Sequence, residues 1–167
     1  MMTTMVRLPV RRTDRLGQPY TVRSYRPEDR AALEAMYDAF EPKRIAQGRP
    51  PAREEQRSRS LDRVLGVGIH LVVEIEGEVL GHLMLIPMDD GGAELANFLH
   101  QHVRNRGIGT ALNRIALALA REAGFRRVWL SVEPSNRAAI RSYEKAGFRC
   151  LPGSLWAPEI EMEAEVG

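Results

Sequence analysis

The chain has 167 residues, of which 44% are hydrophobic and 28% charged, with a formal net charge of +2 at pH 7. That suffices for one domain with a buried core but not for two, and the balance is that of a globular chain rather than a disordered or fibrous one. No apolar run approaches the ~18 residues that span a bilayer, no apolar N-terminal stretch reads as a signal peptide, and the single Cys150 excludes an internal disulfide or a multi-cysteine metal site. A cytoplasmic protein is expected.

The pI near 9.0 comes with little net charge. All but two of the 24 cationic residues are arginine, and no aromatic–basic interleaving of the kind that stacks bases accompanies them, so nucleic acid is not indicated as a partner. Cys150 follows Phe148 closely and reads as a small apolar residue rather than a catalytic thiol.

Residues 1–20 hold Arg7, Arg11, Arg12 and Arg15 against one acid, Asp14, without a period. They read as a basic, loosely docked extension ahead of a domain spanning 21–167. Tyr20 to Arg26 alternates as a strand. Pro27-Glu28-Asp29 then opens a helix whose stripe Leu33, Met36, Tyr37, Phe40 recurs at helical spacing. Residues 41–51 form a loop, and a charged helix follows at about 52–65.

A meander comes next. Ile69–Ile75 and Val79–Pro87 are β-rich and joined through Glu76-Gly77-Glu78, and Ala93–Gln101 is a third strand after the turn cluster Asp89-Asp90-Gly91-Gly92. A helix from about 107 to 123 buries Ile108, Leu112, Ile115 and Leu119, turns Arg114 and Arg121 outward, and ends at Gly124. Val128–Val132 is a continuous apolar run, expected to be a strand covered on both faces. A helix over about 135–146 ends at Gly147, Phe148–Leu151 starts a strand, and Glu159 to Ala164 alternates as the last. The fold class is α/β, a single mixed, largely antiparallel sheet flanked by helices.

The most informative stretch is Arg104-Asn105-Arg106-Gly107-Ile108-Gly109-Thr110, between a strand and a helix. Two close glycines at a helix start let backbone N–H groups converge on an anion. A nucleoside-triphosphate loop is excluded because no lysine follows the second glycine. A dinucleotide fold would want a glycine where Leu112 stands, and the chain leaves too little room for the second half of a doubly wound sheet.

A third ligand fits better. Leu99-x-Gln101-x-x-Arg104-x-x-Gly107-x-Gly109 resembles the cofactor motif of the GNAT superfamily of N-acetyltransferases. Asn136-x-x-Ala139-x-x-x-Tyr143-x-x-x-Gly147-Phe148 resembles that family's second motif, one strand downstream, and the likeness covers about 21 to 163. Gln101 departs from it, since the family often has Pro there.

The resemblance implies a GNAT-like fold, acetyl-CoA as co-substrate and no metal. It assigns the donor's pantetheine and pyrophosphate to Leu99, Gln101, Arg104, Asn105, Arg106, Gly107, Ile108, Gly109, Thr110, Asn136 and Ala139. Tyr143 becomes the proton donor to the departing thiolate. The base that deprotonates the amine is expected to be Glu94, with His100 second. His100 and His102 share a strand face but lack a third metal ligand. The acceptor is an amine of a small molecule or of a protein, and the loop Phe40 to Pro51 with the final strands would shape its pocket. The acid face Glu159, Glu161, Glu163 fits either a cationic acceptor or an edge strand kept from aggregating. No membrane partner is expected, and a homodimer is left open. A GNAT-shaped module that binds acyl-CoA without turnover is the alternative reading.

Overall fold

The computed structural model describes residues 5–41, 54–153 and 158–167. Their strands form one eight-stranded sheet in the order β1-β2-β3-β4-β5-β6-β8-β7. These are β1 (Val10–Thr13), β2 (Pro19–Ser24), β3 (Ile69–Ile75), β4 (Glu78–Pro87), β5 (Ala93–Leu99), β6 (Arg127–Val132), β7 (Arg149–Cys150) and β8 (Ile160–Glu165). The helices are α1 (Arg30–Ala39), α2 (Glu54–Val64), α3 (Ile108–Glu122) and α4 (Arg137–Ala146). Every strand pair is antiparallel except β5–β6. The loop expected at 41–51 lies, beyond Glu41, outside the described residues, as does the start of the helix expected from 52.

Two apolar clusters sandwich the sheet. Ile108, Leu112, Ile115 and Ala116 of α3 pack on Leu71, Leu83, Leu95, Leu130 and Met162. Leu33, Met36, Tyr37 and Phe40, the stripe read from α1, join Leu61 of α2 against Val72 and Val79. The β3–β4 connection is a tight hairpin in which Glu76 (φ 51°) and Gly77 (φ 78°) both adopt the left-handed backbone that a right-twisted hairpin needs.

Three expectations change. Val10–Thr13 pairs with β2 from Val10↔Val22 to Thr13↔Pro19, so the expected loose extension includes an edge strand of the sheet. In β6 only Val128, Leu130 and Val132 are buried, and Trp129 and Ser131 are half-exposed, so the run is covered fully on one face. Its apolar residues supply alternation that the letters Trp and Ser disguise. Finally, β8 lies between β6 and β7 and is not an edge. Its acids meet partners from this chain: Glu161 Oε1 accepts from Trp129 Nε1 at 2.9 Å, and Glu163 pairs with Arg127 at 3.3 Å and Arg149 at 3.5 Å. Two acids of the expected face, Glu161 and Glu163, are thus engaged within the sheet, while Glu159 precedes β8.

Under α1 runs a buried polar chain. His70 Nε2 lies 2.9 Å from the Val64 carbonyl and 2.7 Å from that of Val67, which only accept, so Nε2 carries a hydrogen. His70 Nδ1 meets His82 Nε2 at 3.0 Å, and His82 Nδ1 meets the Tyr37 hydroxyl at 2.6 Å. The chain ties α1 and the end of α2 to β3 and β4. Burial, with His70 adding to it, lowers His82 from the usual 6.5 to about 3. The unfolded chain then binds a proton at pH 5 that the folded chain refuses, so stability falls as pH drops below 6.5. Between pH 7 and 5 the loss is about 2 kcal/mol. Urea melts at the two pH values check this, and equal midpoints would refute it.

Candidate active site

The β5–β6 pair is joined only at Ala93↔Val128 and Glu94↔Trp129. Beyond that point β5 runs on to Leu99 and β6 to Val132 without pairing to each other, each held by its other neighbour. Beside this end of β5 lies a cleft of about 470 Å³, walled by Asn97, Phe98 and Leu99 of β5, the loop before α3, the first turns of α3, and α4.

At one end lies the glycine loop. Gly107, the N-cap of α3, has φ 85°, which an L side chain rarely tolerates, so its glycine is required by the turn. Gly109 is different. It sits in the first turn of α3 with an ordinary backbone, and a Cβ there would meet only Ser142 Oγ, at 3.5 Å. Neither strain nor a protein clash calls for glycine, which in a helix costs about 0.5–1 kcal/mol relative to alanine. The space a Cβ would take is the cleft itself, which Gly107, Gly109 and Thr110 all line. No side chain caps α3, so its first-turn N–H groups remain for another acceptor at the positive end of a 15-residue helix. The contrast is α4, closed by its own N-cap: Asn136 Oδ1 accepts from Ala139 N.

At the inner end stands Tyr143, nine-tenths buried, its ring edge-on to Phe148 at 5.6 Å. Burial pushes its phenol up to about 12, so it keeps its proton throughout the neutral range. Asn136, Ala139 and Tyr143 line the cleft from one face of α4, as their spacing predicts.

The remaining expected residues divide. Leu99, Arg104 and Asn105 line the cleft. Arg104 spends its Nε on the Leu99 carbonyl at 2.8 Å and lays its guanidinium over the Phe40 ring. Arg106 turns away, toward Asp14 at 3.5 Å and the His102 carbonyl at 3.0 Å. Ile108 is wholly buried in the core. Gln101 holds the end of α1: its Nε2 donates to the Ala39 carbonyl at 2.7 Å and its Oε1 accepts from Glu41 N at 2.9 Å. The side chains of Arg106, Ile108 and Gln101 therefore serve the scaffold.

Glu94 is not among the cleft residues. It lies where β5 and β6 are still paired, and desolvation raises its carboxyl. His100 is buried outside the cleft, and its Nδ1 accepts from His102 N at 3.2 Å. The strand ends at Leu99, so His100 caps a 3-10 turn that contains His102, and the two do not share a strand face.

The structure adds residues that sequence patterns did not single out. Asn97 Nδ2 donates to Asn113 Oδ1 (2.9 Å), Asn113 Nδ2 donates to Ser142 Oγ (3.0 Å), and Ser142 Oγ meets Thr110 Oγ1 (3.1 Å). This chain stitches β5, α3 and α4 together beneath the cleft and leaves Asn97 Oδ1 buried without a hydrogen-bond partner. An amide at a core position of α3 was a visible signal, since Asn113 is 1% exposed between Leu112 and Ile115. Arg15 and Phe40 also line the cleft. Arg15 had no local signal.

The comparisons agree with this geometry. Residues 33–148 match the acetyltransferase (GNAT) family. An uncharacterised N-acetyltransferase of Mycobacterium tuberculosis is 38% identical over 80 residues, 47% of this chain and 51% of that one. The matched segment spans about half the length of that relative. Among solved structures, the GNAT domain of S. lividans PAT superposes with a TM-score of 0.78 at 22% identity, covering 94% of this chain and 96% of that one. A phosphinothricin acetyltransferase of Sinorhizobium meliloti, solved in complex with AcCoA, gives a TM-score of 0.72 at 18% identity over 89% of each chain.

Proposed function

The chain belongs to the GNAT acetyltransferase family, and from that membership and the cleft we propose that it moves an acetyl group from acetyl-CoA directly to an amine. The observation that carries this is Gly109, a helical glycine that the protein's own packing does not need and that keeps open the cleft between the α3 N-terminus and Tyr143.

The donor supplies an activated acetyl thioester. The first-turn amides of α3 and the loop through Asn105 would hold its pyrophosphate, the unpaired edge of β5 at Leu99 its pantetheine, and small Ala139 the approach to Tyr143. Asn136 would offer its side-chain N–H groups, since its oxygen already accepts from Ala139 N to cap α4.

In the reaction the amine nitrogen bonds to the acetyl carbon, the carbon–sulfur bond breaks, nitrogen loses one proton and sulfur gains one. Tyr143 is the donor to sulfur. Burial holds its phenol at about 12, and the same burial raises the proton affinity of a sulfur anion formed against it, so values in water do not set the transfer. Glu94, outside the cleft, would take the nitrogen's proton through water, and its raised carboxyl brings it nearer the working pH of a general base.

The test is thiol release from acetyl-CoA with a panel of primary amines: a protein lysine or N-terminus, a polyamine, an aminoglycoside and an amino-acid derivative. Amine-dependent release is expected for at least one. Tight coenzyme A binding with no release for any amine would favour the non-catalytic binding module.

A further inference from the structure

Asp14 and Arg15 occupy the turn between β1 and β2, where the sequence alone showed four arginines and one acid without a period. The turn is fastened to the glycine loop. Arg15 N donates to the Arg106 carbonyl at 2.9 Å, and Arg106 Nη1 reaches Asp14 Oδ2 at 3.5 Å. Asp14 Oδ1 accepts from Leu16 N at 2.8 Å and Gln18 N at 2.9 Å, which fixes the shape of the turn. Burial pushes the Asp14 carboxyl up, but those two N–H groups and Arg106 outweigh it, and the group stays ionised.

The result places the Arg15 side chain on Gly107, where a Cβ would stand 3.3 Å from Arg15 Nε. The glycine thus serves both its own backbone and this close approach. Arg15 is exposed, lines the cleft, and forms no ion pair with the described residues. Arg141 and Lys145 of α4, which also line the cleft, are likewise without a carboxylate partner among the described residues. With Arg104 they make four cations in a cleft whose described lining holds no acid, in a chain whose net charge is only +2.

We propose that Arg15, carried to the glycine loop by the β1–β2 hairpin, is a phosphate-binding residue for the nucleotide end of the donor, in the cleft that Arg141 and Lys145 of α4 also line. This rests on the acyl-CoA reading above. The shared chemistry is a phosphate oxyanion, which the donor carries in two places, its pyrophosphate and its ribose 3′-phosphate. An exposed guanidinium suits either through charge-assisted N–H bonds.

The experiment measures the dissociation constants of coenzyme A, dephospho-coenzyme A and pantetheine for the wild type and for Arg15→Gln and Arg15→Lys. Arg15→Gln should weaken coenzyme A about tenfold at low salt, and the difference should shrink as salt screens the exposed charge. Arg15→Lys should recover part of the loss. A loss retained on dephospho-coenzyme A supports the pyrophosphate as the partner, and one that disappears there supports the 3′-phosphate. Unchanged affinity for coenzyme A, or an equal loss on phosphate-free pantetheine, would overturn the assignment. Thermal melts without ligand guard against a folding defect, because Arg15 is exposed and its substitution should leave them alone. If the wild type itself binds no coenzyme A, the fault lies in the acyl-transfer reading and not in Arg15.

Discussion

Tyr143→Phe is expected to lower kcat by about a hundredfold or more while leaving coenzyme A affinity unchanged. The substitution removes one oxygen and keeps the ring, so the edge-on contact with Phe148 survives and α4 stays seated. What is lost is the hydrogen that must reach sulfur as the carbon–sulfur bond breaks. The pH profile sharpens the test. With its phenol near 12, Tyr143 stays protonated through the assay range and contributes no falling limb below about pH 11. An acid limb in kcat/KM belongs to the base, and Glu94→Gln should abolish it if Glu94 fills that role. An unchanged kcat in Tyr143→Phe across the pH range would end the proton-donor assignment.

Gly109→Ala should separate stability from binding. In the first turn of α3 the added methyl meets only Ser142 Oγ, at an ordinary contact distance. The free protein should therefore be as stable as wild type, or more so by up to about 1 kcal/mol from helix propensity and a less flexible unfolded chain. Coenzyme A affinity should fall about tenfold, and Gly109→Leu should cost a hundredfold or more by filling the cleft. Thermal shift reads both effects. At a ligand concentration 100-fold over the wild-type Kd the wild type gains about 2.7 kcal/mol, and a tenfold weaker variant only about 1.4 kcal/mol. Gly107→Ala is the contrast, because φ 85° strains the substituted backbone and the free protein should already be less stable. Wild-type coenzyme A affinity in Gly109→Ala would show that the space above this glycine is not the donor's.

Much of the fold could be read locally. The stripe Leu33, Met36, Tyr37, Phe40 marked the buried face of α1, and all four residues are buried. The spacing Asn136, Ala139, Tyr143 put three cleft residues on one side of α4. These readings work because side-chain direction repeats every 3.6 residues in a helix and every two in a strand, so a few neighbouring letters carry the whole signal. The motif resemblance that picked out Gln101, Arg106 and Ile108 says less about their side chains, which turn to Ala39, to Asp14 and into the core. A motif spacing identifies a backbone path, and side chains along that path point to the core, to α1 or to Asp14 as readily as to the cleft.

Sequence by itself determined the run of elements and the two motifs, along with the glycines that make α3 start bare. Tertiary structure decided three things that no local pattern contains. It inserted β8 between β6 and β7, which gave the Glu161 and Glu163 carboxylates partners from their own sheet. It parted β5 from β6 after two paired residues and set α3 and α4 beside the end of β5, where the cleft lies. And it folded β1 onto β2, which brought Arg15 to Gly107 across more than ninety residues of chain. Strand pairing is a contest among long-range partners, settled by the burial and hydrogen bonding of the whole sheet. Any position that depends on its outcome, as that of Arg15 does, is silent in the sequence around it.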